Sequence, residues 1–154
     1  MDKRILVPVD GGTTSMNGLE KAIRLSRASG AKLRILHMVD GIAFSRDHSM
    51  FTATADKFRE SGRKSIKEVM ARVRKQQVQA DSRMVENLTG RAADTIVKEA
   101  NKWRADAIMM GTHGRRGFNR LVLGSDAELV VRTASVPVLL VQPSRKIQRG
   151  RKKK

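Results

Sequence analysis

The chain reads as an α/β protein: an open five-stranded parallel sheet, doubly wound in the order 3-2-1-4-5, with helices on both faces. Three observations lead there. Short aliphatic runs alternate with longer stretches whose apolar residues recur at helical spacing, and that alternation demands a parallel sheet covered on both sides. The strongest runs are continuous rather than every-other-residue, as in strands buried on both faces. Finally, Gly111-Thr112-His113-Gly114, nine further residues and Gly124-Ser125 form a G-x2-G-x9-G-[ST] array between a strand-type and a helix-type segment. Right-handed crossovers with one reversal of winding then give the doubly wound order, with ligands expected at the carboxyl ends of the strands.

Ile5-Leu6-Val7-Pro8-Val9 is the first strand, and Asp10-Gly11-Gly12-Thr13-Thr14 the turn that follows. Helix one places Leu19, Ala22, Ile23 and Ser26 on one face and stops at Gly30. Strand two is 32–38, and 40–52 reads as a loop. A long helix over about 54–79 carries Phe58 and a stripe of Ile66, Val69, Met70 and Val73, its other faces being rich in lysine and arginine. The weakest strand, 82–86, is expected at an edge. Helix three, about 91–103, turns Ala93, Ile96, Val97 and Ala100 inward, with Trp103 a half-buried packing residue at its end. Strand four is 106–110, helix four 125–134 and strand five 136–141.

At 154 residues the chain is one domain of ordinary size. It has no cysteine, which removes disulfides, thiolate chemistry and cysteine-held metals. Its apolar runs reach only about six residues, against the roughly 20 needed to span a bilayer. Met1-Asp2-Lys3-Arg4-Ile5 passes straight into a strand without a signal-peptide core, so a soluble cytoplasmic protein is expected. The formal charge of +17 divides unevenly: residues 144–154 hold seven of the 32 basic residues and no acid, leaving 25 against 15, about +10, in the body. A domain over 1–143 and a basic, disordered tail over 144–154 follow. Such a tail can contact polyanions non-specifically through phosphate neutralisation. The five aromatic residues do not interleave with it, which argues against a stacking platform for single strands.

The glycine array carries the chemistry. Glycines let backbone N–H groups approach an anion, and the unpaired N–H groups of the first helical turn add partial positive charge, so a strand–glycine loop–helix junction suits phosphate. Ser125 can cap the helix or bond a ligand oxygen. Ser125 and Glu128 also spell S-x-x-E, a capping box, in which the glutamate reaches back to the serine N–H. Asp10, at a strand end facing the same crevice, suits a ribose hydroxyl, a hydrated metal ion or a simple turn. Arg115 and Arg116 are placed to reach outer phosphates, or are exposed loop arginines; His113 reads as a loop histidine. No Ser-His-Asp or Cys-His set can be placed there, and no carboxylate is a dedicated base for water attack. Positioning and a metal could still support slow phosphoryl transfer.

These residues resemble the universal stress proteins. The matching segments are Ile-Leu-Val-Pro-Val-Asp at 5–10, Ile-Leu-His-Met-Val at 35–39, Met-Gly-Thr-His-Gly-Arg-Arg-Gly at 110–117, Leu-Gly-Ser at 123–125 and Val-Pro-Val-Leu-Leu-Val at 136–141. The similarity covers about residues 3–143, and the glycine array is the version associated with ATP-binding members. It implies a homodimer joined through strand 136–141, and ATP or AMP as ligand, often with Mg2+ or Mn2+ at the phosphates. By position, Pro8, Val9 and Asp10 would line the adenosine and Met38 would offer its backbone to the adenine. Met110 and Gly111 would approach the ribose, and Gly114, Gly124, Ser125 and the amides of Asp126 and Ala127 would meet the phosphates. Family members often carry serine two residues after the aspartate. Gly12 stands there in this chain, with Thr13 or Thr14 as the substitute hydroxyl.

Three functions are therefore expected to compete. The first is a homodimeric, nucleotide-binding regulatory protein of the stress response, with occupancy of the site as the signal. The second is a slow Mg-dependent ATPase or nucleotidyl-transferring enzyme, and the third a polyanion-binding accessory protein acting through the tail. Fold likeness alone does not separate them.

Overall fold

The computed structural model describes residues 3–10, 13–40, 51–87, 90–112 and 123–143. Nine elements follow one another: β1 (Arg4–Pro8), α1 (Thr13–Ser29), β2 (Lys32–Asp40), α2 (Phe51–Arg74), β3 (Ala80–Asn87), α3 (Ala92–Trp103), β4 (Ala107–Gly111), α4 (Ser125–Thr133) and β5 (Val138–Val141). All strand pairs are parallel and the order is β3-β2-β1-β4-β5, as the alternation requires. The basic run 144–154 lies outside the described residues.

Strand periodicity divides the core into two layers. Ile5, Val7 and Val9 of the β1 segment, Leu33 and Ile35 of β2 and Met109 of β4 point to one face, where Leu19, Ala22 and Ile23 of α1 and Met70 and Val73 of α2 cover them. Leu6, Leu36, Ile108 and Met110 point to the other, beneath Ala93, Ile96 and Ala100 of α3 and Ala127 and Val130 of α4. Successive residues of a central strand are thus buried in opposite directions, which is why these strands read as unbroken apolar runs.

Boundaries moved where local hydrogen bonds, not hydrophobicity, set them. Helix α2 starts at Phe51, inside the stretch read as a loop, and ends at Arg74 rather than near 79. Its last turn closes with Gln76 N–H to the Val73 carbonyl and Gln77 N–H to the Arg74 carbonyl, and Gln77 takes φ 56°. A left-handed residue ends the helix as glycine would, but glutamine does not announce it. Gly30, at φ 73°, is the stop its identity suggests. Phe58 is 48% exposed and takes no place in the buried face of α2, which Ala55, Met70 and Val73 form with the partly buried Ile66 and Val69. Strand β3 is an edge, yet it pairs with β2 at eight positions, Leu33↔Ala80 to Asp40↔Asn87. Its half-exposed pattern concealed that length.

Polar contacts latch this edge. Arg34 Nε donates to Asp81 Oδ1 at 2.6 Å and Arg34 Nη2 to Asp81 Oδ2 at 3.0 Å, while Lys32 Nζ stands 3.2 Å from the same carboxylate. Arg59 of α2 likewise grips Glu86 with two hydrogen bonds. Burial acts to raise the Asp81 pKa, but the hydrogen bonds and charges of Arg34 and Lys32 outweigh it and hold the carboxyl below its ordinary value. A depressed carboxyl stabilises the fold above its unfolded pKa, about 3.9, and loses that contribution as pH falls through the folded value. Asp81→Asn should therefore flatten the loss of stability between about pH 5 and pH 2. For a partly exposed pair the difference from wild type should be no more than about 1 kcal/mol. Urea midpoints measured across that window decide it: parallel curves for the two proteins would show that the pair contributes nothing.

Candidate functional site

The registers open a crevice where the winding reverses. Strand β1 pairs with β2 as far as Pro8↔Leu36, but with β4 only at Ile5↔Ala107 and Leu6↔Ile108. Strand β4 then runs on to Gly111 against β5, and β2 to Asp40 against β3. Beyond Leu6, β1 and β4 are neighbours that no longer pair. The gap lies at the carboxyl ends of the strands, the place where open α/β sheets take their ligands.

On the β1 side, Pro8 is buried and Val9 turns its side chain into the α1–α2 layer. Both backbone groups of Val9 are engaged: its N–H donates to the Leu36 carbonyl at 2.9 Å, and its carbonyl accepts from His37 Nδ1 at 3.0 Å. The carbonyl is only an acceptor, so His37 carries its proton on Nδ1 in this contact. Asp10 is half-buried and held by the first turn of α1. Ser15 Oγ donates to Asp10 Oδ1 at 2.7 Å and accepts the Asp10 N–H at 3.3 Å. Ser15 thus supplies a hydroxyl to Asp10; the side chains of Thr13 and Thr14 lie outside those described.

Met38 and Met110 both pack into the α3–α4 layer, Met110 almost fully buried, so their backbones are what they can present to a ligand. Met38 lies two residues past Leu36, where β2 has outrun β1. Gly111 ends β4 under close cover. A Cβ placed on Gly18 of α1 would stand 3.4 Å from the Gly111 nitrogen and 3.5 Å from the Met110 carbonyl carbon. Helix α1 thus lies directly against the backbone that forms one wall of the crevice.

Thr112 straps the far side together. Its N–H donates to the Val141 carbonyl at 3.1 Å, and its carbonyl accepts the Gly124 N–H at 2.8 Å. The second bond draws both ends of the glycine array to one point, although residues 113–122 intervene. Gly114, Arg115, Arg116 and His113 lie among those intervening positions, outside the described residues. Gly124, Ser125, Asp126 and Ala127 are described.

The capping box is not formed. Gly124 is the N-cap of α4, at φ −60° and ψ 150°, and no side chain caps the helix. Ser125 is the first helical residue and exposed, and Glu128 faces Arg132 one turn on, 3.6 Å away, not the Ser125 N–H. The S-x-x-E spacing is sound, but a capping box needs its serine one position earlier in the geometry, at the N-cap. In consequence, Glu128 N–H is the first to reach back, to the Gly124 carbonyl at 2.9 Å. The N–H groups of Ser125, Asp126 and Ala127 have no carbonyl of their own helix to bond. They stand beside a glycine, at the positive end of the helix dipole. Asp126 and Glu128 in the first turn work against an anion there, each by about 0.3–1 kcal/mol when exposed.

Asp10 is the strand-end carboxylate described at the crevice, and the described residues contain no group of three His, Cys, Asp or Glu side chains able to hold a metal by themselves. The sequence pattern assigns no role to Ser15 or Thr112. Ser15, in the first turn of a helix five residues after a strand-end aspartate, carried a local signal. Thr112 carried none, because its role is to join β5 and α4, both distant in sequence.

The model of the universal stress protein family matches residues 1–142. A relative, universal stress protein MJ0531 of Methanocaldococcus jannaschii, is 32% identical over 146 residues, covering 94% of this chain and 84% of its own. Among solved structures, the hypothetical protein MJ0577 superposes with a TM-score of 0.81 at 24% identity, over 94% of this chain and 98% of that one. Two others are complexes: a universal stress protein with cAMP (TM-score 0.64, 23% identity, 93% and 98% covered) and one from Archaeoglobus fulgidus with dAMP (0.63, 18%, 92% and 98%). No described helix is long and apolar enough to cross a membrane. With the family model spanning the whole sheet and the registers meeting its topology strand for strand, the chain belongs to the universal stress protein family.

Proposed function

We propose that this chain binds an adenine nucleotide in the β1–β4 crevice and acts as a homodimeric regulatory protein of the stress response, its occupancy being the signal. The observation that carries the reading is the N-terminus of α4: an N-cap glycine with no side-chain cap, followed by three N–H donors without helical partners, at the mouth of the switch-point gap. The cAMP and dAMP complexes of proteins with this fold support an adenine nucleotide. In this arrangement Asp10, steadied by Ser15, receives the ribose, the Met38 and Gly111 backbones flank the nucleoside, and Gly124 to Ala127 take phosphate. A divalent ion arriving with the phosphates would neutralise their charge, with Asp10 the carboxylate at hand.

Catalysis is not the best use of such a site. The described groups at the crevice are backbone amides, one strand-end carboxylate tied to a serine, the first-turn carboxylates Asp126 and Glu128 of α4, and a histidine whose Nδ1 is committed to a carbonyl. Calorimetric titration with ATP and AMP, followed by single-turnover hydrolysis of bound ATP with and without EDTA, tests the reading. Binding should be measurable, with turnover well below ~1 s⁻¹, the low end of ordinary enzymes. Several metal-dependent turnovers per second, abolished in Asp10→Ala, would make the protein an ATPase instead.

The dimer has its own test. Strand β5 ends the sheet, and a bare apolar edge of this kind invites pairing with another chain. Val138 and Leu140 pack against the α3–α4 core, whereas Leu139 is 38% exposed. Leu139→Asp therefore burdens an interface without opening the core, and it should convert a sedimenting dimer into a folded monomer at micromolar concentration. A wild-type chain that already sediments as a monomer there would refute the assembly.

A further inference from the structure

At the opposite end of the sheet from the crevice, the amino ends of β1, β2 and β3 and the last turn of α3 enclose a groove of about 550 Å³. Five cations line it, Arg4, Arg34, Arg83, Lys102 and Arg104, against one carboxylate, Glu99. Glu99 is nearly buried and meets Arg83 at 3.4 Å. Arg4 donates from Nη1 to the Trp103 carbonyl at 3.0 Å, which answers the negative end of the α3 dipole. Arg34 lies over the Trp103 ring, 4.5 Å from its centroid, and is anchored from behind by Asp81. Lys102 and Arg104 are exposed and form no ion pair among the described residues. A helix C-terminus offers only about half a negative charge, so it offsets part of the Arg4 charge and no more. Like charges converging on a concave surface raise the potential there and draw in an anion.

We propose that this groove is a second ligand site, for a small anion bearing several phosphate groups. The guanidinium groups of Arg34, Arg83 and Arg4 are held in place by Asp81, Glu99 and the Trp103 carbonyl, and the N–H groups those contacts leave over can donate charge-assisted hydrogen bonds to phosphate oxygens. The volume falls within the roughly 300–1,000 Å³ of small-molecule sites. Trp103 is only 8% exposed and covered by Arg34, so it offers a base no stacking surface. Recognition therefore rests on phosphate. Ligand and nucleotide would sit at opposite ends of the same strands, leaving both free to bind together.

Trp103 is the chain's one tryptophan and there is no tyrosine, so intrinsic fluorescence arises from a residue of this groove. The full chain is titrated at low ionic strength with inorganic tripolyphosphate, with an inositol polyphosphate and with a short single-stranded oligonucleotide. A saturable change in Trp103 emission is expected with one or both small anions, and which of them binds more tightly names the source. Lys102→Gln combined with Arg104→Gln should weaken that response by about tenfold or more, as losing charged hydrogen-bond partners requires. Arg83→Gln, on a separate element, should weaken it independently, and Gly124→Val, at the crevice, should leave it unchanged. Emission that stays flat, a response equally strong in the Lys102/Arg104 variant, or one given by the oligonucleotide alone would overturn the proposal.

Discussion

Gly124→Val is expected to lower adenine-nucleotide affinity at least tenfold, about 1.4 kcal/mol, while the protein stays folded. The argument turns on what the glycine is for. At φ −60° and ψ 150° the N-cap backbone lies in a region open to every L-residue, so no left-handed conformation demands glycine there. Serine, aspartate or asparagine would each cap α4 better. What glycine leaves is space beside the Ser125, Asp126 and Ala127 N–H groups, and a β-branched side chain fills it. Gly124→Ser sharpens the test, since it should gain a few tenths of a kcal/mol of helix stability and still bind nucleotide more weakly. Calorimetry on folded variants provides the measurement. Wild-type affinity in Gly124→Val would remove α4 from the binding site.

The largest effect on stability is expected at Ile108. Its side chain is fully buried at the centre of β4 under α3 and α4, its residue lies between Leu6 of β1 and Val138 of β5, and its N–H reaches the Pro137 carbonyl at 3.0 Å. Ile108→Ala deletes buried carbons where rigid strands on both sides hinder collapse. It should cost about 2–5 kcal/mol, a large share of the ~5–15 kcal/mol that holds a typical domain together. Leu25→Ala, on the outer face of α1 at 38% exposure, serves as the reference and should change little. Denaturant midpoints compare the two. A cost below about 1 kcal/mol would mean that residue 108 is not packed between β4 and the α3–α4 layer.

Legibility of the fold followed the range of the forces involved. Ile5 to Val9 and Ala107 to Met110 are buried on both sides, so their own composition declares them central strands. The stripe of Leu19, Ala22 and Ile23 and the stop at Gly30 declare α1 just as directly. Strand β3 is less transparent, since an edge shields only part of each face. Ser82 and Arg83 sit exposed in mid-strand, and β3 owes its eight-residue length to pairing with β2. The end of α2 at Gln77 was hidden for another reason: a left-handed glutamine costs energy that local sequence preference argues against, and the packing of α2 on β2 and β3 outweighs it.

The residues of the crevice divide in the same way. Glycine spacing and the strand-end aspartate were legible by themselves, because backbone approach to an anion needs glycine and strand ends need turn residues. Which hydroxyl holds Asp10, and whether Ser125 caps α4 or begins it, depended on where the chain enters each helix, a matter of single-residue registry. The cationic groove was beyond the sequence's reach. Arg4, Arg34, Arg83 and Arg104 are scattered over one hundred positions among many other surface cations, and only the pairing of β1 with β2, β2 with β3 and the docking of α3 bring them to one Trp103. Short-range sterics and burial periodicity, both written into adjacent residues, determined the elements and their order. Convergence of distant side chains is decided by strand register and helix docking, which no local stretch encodes.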